Sequence, residues 1–293
     1  MIQLLTPTNW KSYQLIDTGH FEKLEKFGDV ILSRPEPQAI WDKSLSDSEW
    51  KKMTYARFER DLVNPDKGLW KTVKPLPSPW TIPYHYAKLH LHFKLGLSSF
   101  KHVGIFPEQA ANWDYIYDSI NRLSTPQPRF LNLFAYTGAA SIAALAAGAQ
   151  VTHVDSIKQV ITWARENMEL NKLNGIRWIV EDAMKFVKRE AKRGNTYHGI
   201  ILDPPAYGRG PNGEKWILED NIRELLKTCQ QLLDPTHHFL ILNIYSLGFS
   251  TLIIENLMRD CFGKTPQKES GELYIEDSHR KRLPLGIFYR FRK

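Results

Sequence analysis

From about residue 100 onward, short apolar runs alternate with longer amphipathic stretches, and this alternation restricts the fold more than any other feature of the chain. The strand-like runs are Phe130–Phe134, Val151–Asp155, Arg177–Val180, Gly199–Asp203 and Phe239–Ile244. Helix-like stretches fall between them at Ala139–Ala147, Ile157–Asn171, Ala183–Arg193 and Asn221–Leu233. Such alternation predicts an α/β fold, a mostly parallel sheet with helices on both faces. Two strand-like runs close the chain, Glu272–Glu276 and Gly286–Phe291, with only a short loop between them. That loop is too short for a parallel crossover, so the C-terminal strand should run antiparallel.

Residues 1–95 have a different texture and are expected to form a small β-rich accessory domain, leaving 96–293 for the α/β domain. At 293 residues the chain suits two domains, by the rule of roughly 100–200 residues each. Asp29–Leu32 is strand-like, and Lys88–Leu95 alternates, with Leu89, Leu91, Phe93 and Leu95 on one face. Pro75, Pro77, Pro79 and Pro83 between them forbid a helix or a central strand.

In open α/β sheets, ligands bind beyond the carboxyl ends of the strands, so chemistry is sought there. Asn132-Leu133-Phe134-Ala135-Tyr136-Thr137-Gly138 is a strand running into a turn before an Ala-rich helix. Its single glycine disfavours a dinucleotide fingerprint, and with it a nicotinamide dehydrogenase; it leaves open either a ligand cradle or a plain strand-helix turn. Asp155 ends the next strand, at about the distance where an acid holds ribose hydroxyls. It equally suits a helix cap, unless Ser156 takes that place. Asp182 after the third strand is balanced between receiving an amine and capping the helix that starts near Met184. Asp203-Pro204-Pro205-Ala206-Tyr207-Gly208-Arg209-Gly210 is the most specific signal: two prolines make a stiff wall and hold Asp203 toward a cleft. Gly208, Gly210 and Gly213 then suggest a flexible lid, with Arg209 placed to meet a phosphate.

These residues resemble motifs I to IV of the class I S-adenosylmethionine-dependent methyltransferases, whose Rossmann-like sheet also ends in an antiparallel strand. More closely, the chain is similar to the bacterial group related to the ribosomal RNA large-subunit methyltransferases with an N-terminal accessory domain. Leu15–Gly19, Arg34–Ala39, Gly104–Gln109 and Leu283–Gly286 carry that likeness, which covers nearly the whole chain. The resemblance implies S-adenosylmethionine as cofactor, with Asn132, Phe134, Tyr136, Thr137 and Gly138 around its methionine part. It implies Asp155 and Ser156 at the ribose, Asp182 and Ala183 at the adenine, and Gln109 lining the pocket. Asp203 would face the methionine ammonium and the transfer site, with Pro204, Pro205 and Tyr207 forming the acceptor wall. Related amine methylases place the aromatic directly after the prolines; here Ala206 intervenes.

Relatives that methylate cytosine at carbon 5 attack the ring with a cysteine. The region after the fifth strand reads Leu242-Asn243-Ile244-Tyr245-Ser246, without one. Cys229 and Cys261 lie on helical stretches and are expected to be core residues. A base nitrogen is therefore the expected acceptor, with Asn243 and Tyr245 as further candidates to line its pocket.

Thirty-nine Lys and Arg against 32 Asp and Glu, a net charge of +7, suit an anionic partner, here RNA. Arg280, Lys281, Arg282, Arg290, Arg292 and Lys293 are candidate phosphate contacts, whereas Lys185, Lys188, Arg189, Lys192 and Arg193 suit a solvated helix face. No apolar run reaches the roughly 18–20 residues of a membrane span, and no leader pattern opens the chain, so a cytoplasmic enzyme is expected. Two cysteines exclude a disulfide framework, and no metal is expected, His90 and His92 on one strand face lacking a third ligand. Protein or small-molecule acceptors, and a non-catalytic RNA-binding protein that retains the fold, are the competing readings.

Overall fold

The computed structural model describes residues 2–8, 10–61, 68–246 and 248–293. The chain forms two compact units. One holds Gln109–Leu273 and Leu285–Lys293 together with the N-terminal strand; the other holds Thr6–Glu108 and Tyr274–Pro284. The division thus falls after Glu108 rather than at residue 95, and the tip of the C-terminal hairpin belongs with the N-terminal residues.

The first element is a three-residue strand, β1 (Gln3–Leu5). There follow β2 (Tyr13–Gly19), β3 (Glu22–Phe27), β4 (Val30–Pro35), helix α1 (Asp47–Met53), β5 (Ala56–Arg60), β6 (Gly68–Thr72), β7 (Trp80–Tyr86) and β8 (Leu89–Leu95). Then come α2 (Ala110–Arg122), β9 (Arg129–Leu133), α3 (Ala139–Ala146), β10 (Gln150–Asp155), α4 (Lys158–Leu170), β11 (Arg177–Val180), α5 (Ala183–Lys192) and β12 (Gly199–Leu202). The rest comprises β13 (Tyr207–Arg209), β14 (Lys215–Ile217), α6 (Leu218–Leu232), β15 (Phe239–Ile244), α7 (Thr251–Phe262), β16 (Glu269–Glu276) and β17 (Arg282–Arg292).

Among the described residues, the large sheet has eight strands in the order β1-β16-β17-β15-β12-β9-β10-β11. Strands β9, β10, β11, β12 and β15 pair in parallel, and the last strand, β17, runs antiparallel to β15. β1 adds a parallel edge strand beside β16, from Gln3↔Gly271 to Leu5↔Leu273. All six residues of β15 and all four of β12 are buried, which is why β12 reads as an unbroken apolar run and β15 as one interrupted only by Asn243. Gly199 opens β12 because a Cβ there would lie 2.3 Å from the Phe239 ring and 2.7 Å from that of Phe130.

In the other unit, β2-β3-β4-β5-β6 form one sheet, with β4 and β5 parallel across helix α1 and the remaining pairs antiparallel. β7 and β8 form a separate two-stranded hairpin, in which Pro83 pairs with His92 and both strands are edges. The β2–β3 register shifts between Leu15 and Asp17. This bulge turns Asp17 and Thr18 inward in succession, and both are fully buried. Asp17 accepts hydrogen bonds from the N–H groups of Thr18 (2.8 Å) and Leu45 (2.9 Å), from the Trp50 indole (2.8 Å) and from the Lys281 ammonium (2.8 Å).

Burial alone would raise the Asp17 carboxyl, but the bonds from Lys281, Leu45, Trp50 and Ser44 outweigh it and hold it at about 2. A carboxyl depressed on folding contributes stability above its unfolded value near 3.8, lost as pH falls toward about 2. We expect Asp17→Asn to cost about 2 kcal/mol in urea unfolding at neutral pH, because the depressed carboxyl is lost and the partly exposed Lys281 loses a buried carboxylate partner. The gap between variant and wild type should close as the medium is acidified from about pH 4 to about pH 2.

Candidate active site

The strand order reverses between β9 and β12, the chain running outward through β10 and β11 on one side and through β15 on the other. That is the switch point at which open α/β sheets bind ligands. Register aligns the strand ends there: Leu133 pairs with Leu202 and with Val154, and Leu202 pairs with Leu242. The next residues on four adjacent strands, Asn243, Asp203, Phe134 and Asp155, therefore form one row across the carboxyl edge.

The β9–α3 loop is bent into an unusual path, with φ of 56° at Phe134, 49° at Tyr136 and 85° at Gly138. Asp155 fastens it: Oδ2 accepts from the Tyr136 N–H (2.9 Å) and Oδ1 from the Ile157 N–H (2.9 Å). Neither Asp155 nor Ser156 is the N-cap of α4; that place falls to Ile157, with no side-chain cap. Burial raises the Asp155 carboxyl, against the lowering effect of the N–H bonds from Ile157, Tyr136 and Ser156.

Asn132 and Thr137 brace this loop from the interior rather than lining a cleft. Asn132 is buried and donates to Ser141 Oγ (2.9 Å), which lies 3.0 Å from His153 Nδ1. Thr137 is buried, and its carbonyl accepts from Asn167 Nδ2 (3.0 Å). His153 is fully buried, its Nε2 has no partner among the described residues, and burial pushes it down to about 3, so it stays neutral. A Cβ on Gly138 would sit 3.0 Å from the Ala164 Cβ and 3.5 Å from the His153 ring, so this glycine serves close packing as well as its left-handed φ. The sequence reading overlooked Ser141, His153 and Asn167, whose only signal is helix and strand periodicity pointing them inward.

Asp182 caps helix α5, accepting from the Lys185 N–H at 2.9 Å through Oδ1. Ala183 is packed in the core of the sheet. Gln109, at the start of α2, receives hydrogen bonds on Oε1 from Asn112 (3.0 Å) and Asn243 (2.9 Å), and Asn112 also donates to Asn243 Oδ1 (3.0 Å). Asn243 is thus buried in an amide cluster with Gln109, while Tyr245 is exposed.

Asp203 follows β12 and is half-buried. Among the described residues no hydrogen bond or ion pair reaches its carboxyl, and burial pushes it up to about 6. Pro204 is buried and Pro205 exposed; the Pro205 carbonyl accepts from the Trp216 indole at 2.7 Å. Trp216 in turn packs on Phe134 at 4.9 Å between ring centroids. The glycines beyond the prolines do not form an open lid. They close a hairpin, β13 against β14, with Tyr207↔Ile217, Gly208↔Trp216 and Arg209↔Lys215 in register and Gly210 N–H bonded to Glu214 O at 2.8 Å. Tyr207 is 55% exposed. Cys229 and Cys261 are buried in α6 and α7, and burial raises both thiols. His90 faces His85 across the β7–β8 hairpin, and among the described residues no group of three or more His, Cys, Asp or Glu is placed to hold a metal.

An acid whose carboxyl is raised on folding binds its proton more tightly folded than unfolded, so stability falls as pH rises between its unfolded and folded values. For Asp203 that window runs from about 4 to about 6. Asp203→Asn should therefore stabilise the protein at neutral pH by about 2 kcal/mol in denaturant unfolding and lose that advantage below about pH 4. Gly138→Ala should be destabilised by about 1–2 kcal/mol, since it combines a left-handed φ with a tight contact to Ala164.

The family model of S-adenosylmethionine-dependent methyltransferases matches residues 64–262. The crystal structure of the SAM-dependent methyltransferase from Agrobacterium tumefaciens superposes with a TM-score of 0.90 at 37% identity, covering 99% of this chain and 93% of that one. Ribosomal RNA large subunit methyltransferase K/L of Shewanella frigidimarina is 31% identical over 155 residues, 52% of this chain and 21% of that protein. Its namesake in Hahella chejuensis is 39% identical over 110 residues, 36% of this chain and 15% of that protein. The chain therefore spans about a fifth or less of the length of these curated relatives. With the strand order, the acid-bearing row at the switch point and a family match over most of its length, the chain belongs to the S-adenosylmethionine-dependent methyltransferases.

Proposed function

We propose that this methyltransferase modifies a ring or exocyclic nitrogen of a base in RNA, with ribosomal RNA the first substrate to test. The observation that carries the reading is Asp203: a half-buried carboxyl at the switch point with no partner among the described residues, held by two prolines, on a site with no cysteine in Leu242–Ser246 at the end of β15. The names of the Shewanella and Hahella relatives, which match about half and a third of this chain, support RNA as acceptor. Ribosomal RNA as substrate places the enzyme in the cytoplasm, and among the described residues no helix is long and apolar enough to cross a membrane.

The donor set fits S-adenosylmethionine. An unpaired carboxyl pushed up by burial is suited to a cation, and the methionine ammonium would supply it at Asp203. The backbone of the Phe134, Tyr136 and Gly138 turn would cradle the methionine part, with Asn132 and Thr137 holding that turn from behind. Asp155 would accept ribose hydroxyls on the lone pairs its backbone bonds leave over. Asp182 would receive the adenine amine through Oδ2, its Oδ1 being taken by the helix cap, and Ala183 and Ser156 would border the nucleoside. Gln109 has its oxygen occupied by Asn112 and Asn243, so it can offer the site only the N–H groups of its amide.

S-adenosylmethionine supplies a methyl group activated on a sulfonium. What remains for the chain is alignment of the acceptor at close range and exclusion of water. A base nitrogen offers its own lone pair and needs no covalent activation. Asp203 would orient an amine or imino hydrogen of the base, Pro204 and Pro205 would form a rigid wall, and Tyr207 would stack on a base of the bound strand. The N-terminal unit is proposed as an accessory domain.

The test is transfer of labelled methyl to ribosomal RNA from a strain lacking this gene, with the modified nucleoside identified by mass spectrometry. We expect a nitrogen-methylated nucleoside, and a fall of about 100-fold or more with Asp203→Ala. A 5-methylcytosine product would overturn the nitrogen assignment. Intact cofactor binding with no label in RNA or in assembled ribosomal particles would overturn the RNA assignment in favour of a protein or small-molecule acceptor.

A further inference from the structure

Most candidate phosphate contacts in the C-terminal segment are engaged within the protein. Lys281 is bonded to Asp17, Arg290 to Glu269, Arg282 to Glu276, Arg292 to Gln267 and Lys293 to the Pro235 carbonyl. In the α5 cluster, Lys185 pairs with Glu214, Lys188 with Glu224, Arg189 with Glu181 and Arg193 with Glu190. The β13–β14 hairpin differs. Arg209 and Lys215 sit directly opposite one another in register, both exposed. Among the described residues neither pairs with an acid. Like charges facing each other across a strand pair destabilise it, so their placement calls for an anion.

The hairpin's one acid does not relieve them. Glu214 is turned away, with Oε1 on Lys185 and Oε2 on the Asn212 N–H at 2.9 Å. Alternation sorts the hairpin into two faces. Gly208 and buried Trp216 form the inner face, fixed by the Trp216 bond to the Pro205 carbonyl and by the Phe134 ring. The outer face presents the cation pair beside a second cross-strand pair, Tyr207 (55% exposed) and Ile217 (37% exposed). A flat aromatic and an aliphatic neighbour next to two unneutralised cations is the combination that takes a base on one half and its phosphodiester on the other. Tyr207 lies four residues beyond Asp203, within about 14 Å even along a fully extended chain.

We propose that the outer face of the β13–β14 hairpin is a binding strip for single-stranded RNA flanking the acceptor nucleotide, with Arg209 and Lys215 on one phosphodiester and Tyr207 with Ile217 against a neighbouring base. This rests on the RNA reading above and names the surface that would hold the strand beside Asp203.

The test compares the full chain with Arg209→Gln/Lys215→Gln and with Tyr207→Ala. Binding of a labelled, unstructured oligoribonucleotide is measured against salt concentration, and S-adenosylmethionine binding and thermal unfolding in parallel. The double variant should bind RNA more weakly, with the slope of log affinity against log salt reduced by about 1 to 1.5. It should keep its cofactor affinity and unfold no earlier than wild type, since a repulsion has been removed. Tyr207→Ala should weaken RNA binding about 10-fold with the salt slope unchanged. An unchanged slope in the double variant, with wild type binding RNA, would overturn the strip while leaving the RNA reading standing. Wild type that neither binds nor methylates RNA would overturn both.

Discussion

The parallel pairing of β9 with β12 is the contact on which the site depends. Leu133 opposite Leu202 sets the register at the point where strand order reverses. It puts the bent Phe134–Gly138 turn beside Asp203. A slip of one residue would reverse which side chains face each helix layer, so the buried runs on β12 and β15 hold this register as firmly as the hydrogen bonds do. Phe134, Trp216 and the Pro205 carbonyl then link the turn after β9 to the hairpin after β12. The two halves of the site are joined by packing across the switch point.

Three aspartates at or just beyond strand ends show how environment divides one residue type into three functions. Asp155 is ringed by backbone N–H groups and holds the β9 turn in shape. Asp182 closes the first turn of α5. Asp203 has no partner among the described residues, and burial raises its carboxyl to about 6. An unpaired, half-buried carboxyl costs stability in a protein that has no use for it, and such groups concentrate at functional sites. The contrast with Asp17 makes the point: it has no exposed surface, yet Lys281, Trp50 and backbone donors hold it at about 2.

Much of the α/β unit was legible because each of its strands and helices carries its own period. The antiparallel last strand followed from the short loop before it. The inward turn of Asn132 and Thr137 was not legible, because a polar residue at a strand end looks the same whether it meets a ligand or a buried Ser141 and His153. The glycines after Asp203-Pro204-Pro205 suggested an open lid, yet alternation of exposed Tyr207 and Arg209 about Gly208, and of Lys215 and Ile217 about buried Trp216, marks a hairpin. Helix α1 lay hidden in a polar stretch, although Ser46 and Glu49 form a capping box whose spacing is visible in the sequence. β1 offered no signal, since three residues carry no periodicity and its strand identity comes only from pairing with β16.

The sequence by itself determined the fold class, the family and the ends of strands at which chemistry should be sought, because hydrophobic period, turn residues and short motifs are local properties. Tertiary structure decided which of those residues are buried supports and which stay without a partner. It alone showed that the C-terminal cations are mostly tied to Asp17, Glu269, Glu276 and their neighbours, while Arg209 and Lys215 face each other with no acid partner among the described residues. The physical reason is that charge pairing, burial and cross-strand register join residues far apart in the chain, and no local pattern records which partner each one finds.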